Sequence, residues 1–243
     1  MSSSLAVVTG SSSGIGAAIT KALLANGWQV VGISRRKADI ADDNYHQIQC
    51  DLTDTKALGA AISDILTSYG KPALVVNNAG VGHFAPHEEL SVNQIEELVK
   101  LNLLAPLLVA RGFLRALKET RGNIIAISSF SALESSSFGA TYAATKAGLE
   151  HFNRSLFDEV RKSGVKVTTI TPDITRTPFY DQLSFYPQEG AEFAIAPECI
   201  AEAVINILKQ PEGTVTTQVV LRPARLNLGK RGKGLRSEDG FNI

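Results

Sequence analysis

Short β-branched apolar runs alternate with longer stretches of helical period along most of the chain. Residues 5–8, 29–33, 45–49, 73–76, 123–128, 165–170 and 215–221 are strand-length and bounded by turn-forming or polar residues, as strands in a buried sheet are. Between them, residues 15–26 set Ile15, Ile19, Ala22 and Leu23 on one helical face and run into Gly27, a natural stop. A second helix is expected over 55–68, ended by Gly70 and Pro72, and a third over 142–162, ended before Gly164. Residues 197–209 open with Pro197, where a helix needs no amide donor. Residues 93–118 read as one long helix bent at Pro106. This alternation predicts an α/β fold, a doubly wound parallel seven-stranded sheet with helices on both faces, in one domain of residues 1–243. Two stretches lack a period: 173–196, and a tail from 222 that is rich in Lys and Arg. The tail is expected to be a solvated or partner-packed end rather than a nucleic-acid arm.

Composition narrows the function classes. With 44% apolar and 20% charged residues the chain can fill a sizeable core, which excludes disorder as its main state. A formal net charge of zero gives no electrostatic case for binding nucleic acid or a membrane surface. The longest unbroken apolar run, 103–110, contains Pro106 and falls far short of the roughly 20 residues a spanning helix needs. The N-terminus lacks the basic start of a secretory signal, and two cysteines, Cys50 and Cys199, make no disulfide framework. A cytoplasmic protein is expected.

The first strand runs into Thr9-Gly10-Ser11-Ser12-Ser13-Gly14-Ile15-Gly16, and a helix follows. Glycines spaced G-x-x-x-G-x-G let a backbone approach a pyrophosphate, and the helix start beyond them offers free N–H groups and partial positive charge. Gly10, Ser12, Ser13, Gly14, Ile15 and Gly16 are therefore candidates for a dinucleotide site, with an ordinary Gly/Ser loop as the alternative. An NAD site usually carries an acid after the second strand for the ribose 2′-hydroxyl. Here that strand ends Ser34-Arg35-Arg36, and Arg35 and Arg36 suit a 2′-phosphate, so NADP(H) is expected in preference to NAD(H). Asp51, after the third strand, is a candidate for the adenine edge, and Leu52 for packing on the ring.

Further along, Tyr142-Ala143-Ala144-Thr145-Lys146 puts a phenol and an ammonium on one helix face. A phenol near pKa 10 is a poor acid–base group at neutral pH, and a nearby cation lowers that value. The pair suits proton transfer at an alcohol or carbonyl oxygen. Ser129 ends the fifth strand, on the edge where open α/β sheets bind ligands, and Asn77-Asn78-Ala79-Gly80 ends the fourth on the same edge. His83 and His87 lack a third ligand, so no metal site is expected.

In their order and spacing, Thr9 to Gly16, Asp51, Asn77 to Gly80, Asn102, Ser129 and the Tyr142/Lys146 pair resemble the short-chain dehydrogenase/reductase family of the single-domain, Rossmann-like type. The resemblance extends to about Leu221 and implies hydride transfer between NADP(H) and a carbonyl or secondary alcohol. It implies that Tyr142 is the general acid–base, that Ser129 orients the substrate oxygen, and that Lys146 tunes the phenol and holds the nicotinamide ribose. By the same token Asn102 anchors a water in the proton relay, Asn78, Ala79 and Gly80 lie along the cofactor, and a homodimer or homotetramer forms. Apolar residues on more than one face of the two long helices (Leu107, Leu108, Phe113, Leu149, Phe152, Leu156) fit such an assembly. After the sixth strand the family commonly reads Pro-Gly; this chain reads Pro172-Asp173, followed by Thr175 and Thr177 as candidate cofactor contacts. An added carboxylate there is expected to repel phosphates or to shape the pocket. The stretch 173–196, with Phe179, Tyr180, Phe185 and Tyr186, is expected to be a substrate lid in which Arg176 is a surface residue or an anion contact. His83 and Phe84 are expected near the same pocket. A non-catalytic NADP-binding regulator is the rival reading, distinguished by lacking the Ser129, Tyr142 and Lys146 set.

Overall fold

A computed structural model describes residues 4–231 of the chain. Strand alternation builds its core. In β1 (Leu5–Thr9), Leu5 and Val7 face one side of the sheet while Ala6 and Val8 face the other, and all four are buried. The same two-way burial recurs in β2 (Gln29–Ser34), β4 (Leu74–Asn77) and β5 (Asn123–Ile127). With β3 (Tyr45–Gln49), β6 (Lys166–Pro172) and β8 (Gln218–Leu221) they form one seven-stranded sheet, order β3-β2-β1-β4-β5-β6-β8, in which every pairing is parallel. The order reverses direction between β1 and β4, the crevice where doubly wound sheets bind ligands.

Helices cover both faces. On one, α1 (Gly14–Ala25) and α6 (Pro197–Leu208) contribute Ile19, Leu23, Ile200 and Val204 to the core. On the other, α2 (Thr55–Ser68), α4 (Ala105–Thr120) and α5 (Ala140–Val160) contribute Ile65, Phe113, Leu117 and Val160. The doubly wound architecture is the one expected.

Three local features depart from expectation. The long helix over 93–118 is three pieces. α3 (Val92–Val99), opened by a Ser91/Gln94 capping box, passes through a widened π turn, Lys100–Leu104, into α4. Pro106 then falls in the first turn of α4, where its missing donor costs least, instead of bending a continuous helix. Much of the apolar surplus on these helices is consumed inside the chain: Phe113, Leu149 and Leu156 are buried and Leu107, Leu108 and Phe152 half-buried. Finally, residues 222–231 are not a loose end. They fold back so that β9 (Leu228–Lys230) pairs antiparallel with β7 (Phe185–Pro187) inside the stretch after β6, with Tyr186 opposite Gly229. The remainder of the tail, 232–243, lies outside the described residues, as do 1–3.

Candidate active site

The carboxyl ends of the parallel strands open into one cleft of about 1080 Å³. Its phosphate-sized end is the turn after β1. Gly10 and Gly14 have φ of 69° and 54°, which only glycine adopts cheaply. A Cβ on Gly16 would stand 2.2 Å from the Gly10 carbonyl oxygen and 2.4 Å from Asn78 Nδ2, so that position admits no side chain at all. The Thr9 hydroxyl accepts from the N–H groups of Asn78 and Ala79 at 3.0 and 3.1 Å, and the Asn78 amide donates to the Thr9 carbonyl at 2.9 Å. Asn78 thus holds the turn and, with Ala79 and Gly80, lines the cleft. Ser13 precedes α1 without capping it, which leaves the first N–H groups of the helix directed at the cleft. Gly10, Ser12, Ser13, Gly14 and Ile15 all line it.

Next to this turn lie the arginines. Arg36 donates to the Ser13 hydroxyl at 3.0 Å. The loop carrying both arginines is pinned by two glutamines of β3: Gln47 donates to the Arg36 carbonyl at 2.6 Å and Gln49 to the Arg35 carbonyl at 2.7 Å. Ser34 accepts from Gln47 at 2.8 Å, and no acid occupies the end of β2. Sequence reading gave no role to these glutamines, because only strand pairing brings them beside the loop. Asp51 lines the same end. Burial alone raises its carboxyl pKa, but hydrogen bonds from the Thr53 N–H and hydroxyl, with Arg35 nearby, bring it below the usual carboxylate value. Leu52 is buried and lines the cleft beside it.

At the other end Ser129, Tyr142 and Lys146 line the cleft together. Ser129 leaves β5 and caps a short turn at 130–132, its hydroxyl accepting from the Ser131 N–H at 3.2 Å. Tyr142 and Lys146 sit one turn apart on α5, both buried. Lys146 Nζ donates to the Ile127 carbonyl at 3.0 Å and stands 5.9 Å from the centre of the Tyr142 ring. Burial pushes the phenol up to about 12 against the opposing effect of Ser129, and burial brings the ammonium down to about 8. In the protein alone, therefore, desolvation outweighs the lowering that the cation was expected to produce. Gly80 lies between these groups: a Cβ there would come 3.2 Å from Asn102 Oδ1 and 3.4 Å from Lys146 Nζ. Asn102 itself is buried outside the lining. Its amide both accepts from the Val81 N–H and donates to the Val81 carbonyl at 2.9 Å, which clasps the loop after β4 onto the π turn.

Pro172 ends β6 at the lining, and Asp173 follows it. The Asp173 carboxylate, on the lining, is paired with a cation. Arg222 Nε donates to it at 3.0 Å, and the same guanidinium lies 4.0 Å over the Phe130 ring, next to Ser129. Thr175 donates to the Asp173 carbonyl at 2.9 Å, and Thr177 stands over Gly14, where a glycine Cβ would be 3.3 Å from it. Arg176 donates to the carbonyls of Gln188 and Gly190 at 2.8 and 3.1 Å, and Arg231 to those of Tyr180 and Leu183 at 2.8 and 3.0 Å. Both cations therefore hold backbone. Phe84 lines the cleft, its ring 5.1 Å from that of Tyr142, whereas His83 turns aside to Glu97 at 2.8 Å.

A sequence profile described as short chain dehydrogenase matches residues 4–185. An uncharacterized oxidoreductase of Staphylococcus haemolyticus is 32% identical over 227 residues, 90% of this chain and 96% of that protein. Among solved structures, an alcohol dehydrogenase from the archaeon Thermococcus sibiricus complexed with 5-hydroxy-NADP superposes with a TM-score of 0.82 at 26% identity, covering 93% of this chain and 99% of that one. A metagenomic short-chain oxidoreductase in complex with NADP gives a TM-score of 0.75 at 29% identity, covering 90% and 96%.

Proposed function

The chain belongs to the short-chain dehydrogenase family, and we propose that it is an NADP(H)-dependent oxidoreductase that interconverts a carbonyl and a secondary alcohol. One observation carries this reading: Ser129, Tyr142 and Lys146 meet at one end of a cleft whose other end is a glycine turn beside two arginines. The cradle fits a dinucleotide phosphate, since it has room only for backbone at Gly16 and an uncapped helix start. Arg35 and Arg36, with no acid at the end of β2, favour NADP(H) over NAD(H). NADP(H) bound there supplies the hydride.

The chain supplies alignment and the proton. Tyr142 holds a proton firmly at neutral pH and gives it to the substrate oxygen in reduction; Ser129 fixes that oxygen. Lys146, held by the Ile127 carbonyl, places positive charge near the phenol and the ribose region of the cleft. Asn102 supports this end as a positioning residue through Val81, and anchoring a water of the proton relay belongs to the same reading. The stretch 173–196 serves as the substrate lid that excludes water. Assembly as a homodimer or homotetramer belongs to the same reading, with Val99 and Leu104 still exposed beside α4, and light scattering at micromolar concentration checks it.

The test is NADPH oxidation against a panel of ketones and aldehydes, with Tyr142→Phe as control. Turnover is expected to fall by about a thousandfold in that variant while NADPH affinity is retained. Near-normal turnover in Tyr142→Phe refutes the assignment.

A further inference from the structure

Beyond Tyr142 the cleft is walled by rings from separate parts of the chain. Phe84 lies 5.1 Å and Phe179 6.1 Å from the phenol ring, and Phe185 packs on Phe84 at 5.2 Å. These rings pack against one another. Phe138 lines the same cleft but differs from them in two ways. It is 63% exposed, and its φ is 63°, the left-handed region that a bulky side chain rarely enters. That conformation is imposed from outside. The Ala85 N–H donates to the Phe138 carbonyl at 2.9 Å, and Gly139 must stay small because a Cβ would lie 3.0 Å from the Phe84 ring.

An exposed ring in an unfavourable backbone state gains nothing from the core and nothing from local propensity. Over-determined strain of this kind gathers at ligand sites. From the tail, Leu228 adds a second exposed apolar residue to the lining. Arg231, which lines this part of the cleft, and Arg176, in the stretch after β6, are both engaged with backbone carbonyls, so the wall presents apolar area more than an anion clamp. Glu89, Asp181, Lys230 and Arg231 are charged groups on this part of the lining, Arg231 being held by the backbone.

We infer that the substrate carries an apolar, ring-sized group beside its reacting carbon, and that Phe138 is the specificity-determining residue that packs on it. This rests on the reading of Tyr142 as the group facing the reacting oxygen.

Equilibrium titration with 1-phenylethanol, 2-butanol and 3-hydroxybutyrate, each into the protein with and without NADP+, tests it by binding rather than turnover. 1-Phenylethanol is expected to bind about tenfold more tightly than 2-butanol. Phe138→Asn tolerates the left-handed backbone and removes the ring. It is expected to erase most of that preference while leaving 2-butanol and NADP+ affinities within about twofold and the melting temperature unchanged or higher. Equal affinities for the two neutral alcohols overturn the inference, as does tighter binding of 3-hydroxybutyrate, which would assign the wall to Lys230. A change of oligomeric state in Phe138→Asn with 1-phenylethanol binding intact also overturns it and assigns the ring to a subunit contact. Selective ring binding without any NADPH-dependent turnover sinks the hydride-transfer reading and leaves the subsite standing.

Discussion

Lys146 and Tyr142 are buried ionisable groups whose shifts run in opposite directions, and each has its own pH window. Lys146 falls from 10.5 to about 8, so between those values the unfolded chain holds more protons than the folded one and stability rises with pH. Tyr142 rises from 10.0 to about 12, so in that upper window the folded chain holds more protons and stability falls with pH. Lys146→Met is therefore expected to raise the melting temperature at pH 7, where burying the charge costs roughly 3 kcal/mol, and to lose that advantage by about pH 10. Melts across pH 6–10, at roughly half-unit steps, check this. Asp173 makes a second residue-scale case. Arg222→Met leaves a carboxylate of 11% side-chain exposure without its cation and is expected to cost about 1–2 kcal/mol, discounted because the guanidinium is half exposed. Asp173→Asn in the same background is expected to recover most of that loss, and a double-mutant cycle by urea unfolding reads the coupling.

Elements matter where one backbone lies against another. α1 starts against the Gly10 carbonyl with no room for a methyl group at Gly16. Gly16→Ala is expected to destabilise the fold by about 1–3 kcal/mol and to abolish NADPH binding, since relief requires the turn to open. Urea titration and fluorescence binding give the two readouts. In the β7/β9 ribbon a Cβ on Gly229 would meet Tyr186 Cζ at 2.4 Å. Gly229→Val is expected to loosen the ribbon and raise the substrate KM several-fold, with cofactor affinity unchanged, because β9 borders the far end of the cleft from Arg35. The π turn belongs to this scale too. Asn102 was legible as a polar residue inside an apolar helix, but its partner Val81 was not, since only the packing of the loop after β4 onto this turn joins them.

Over the whole molecule, the cleft joins the ends of six parallel strands and the folded-back tail. A ligand spanning it ties together parts of the fold that the chain places far apart. Saturation at about a hundred times Kd adds roughly 2.7 kcal/mol, or about 5–10 °C for a chain of this size. At equal concentrations NADPH is expected to raise the melting temperature more than NADH does. Arg35→Ala with Arg36→Ala is expected to remove the difference, and added salt to narrow it. Thermal shift assays in both cofactors measure this directly.

By itself the sequence determined the sheet and the placing of its chemistry. Strand burial has a two-residue period and helix burial a 3.6-residue period, and the glycine turn and the Tyr142/Lys146 spacing are local patterns, so each can be read within a short window. Tertiary structure alone decided what lies between distant windows. Arg222 meets Asp173 across 49 residues and Arg231 meets Tyr180 across 51, which turns a basic tail into a brace for the stretch after β6. Neither pairing leaves a periodic trace, because an exposed arginine reads alike whether it faces water or a backbone carbonyl brought to it by the fold.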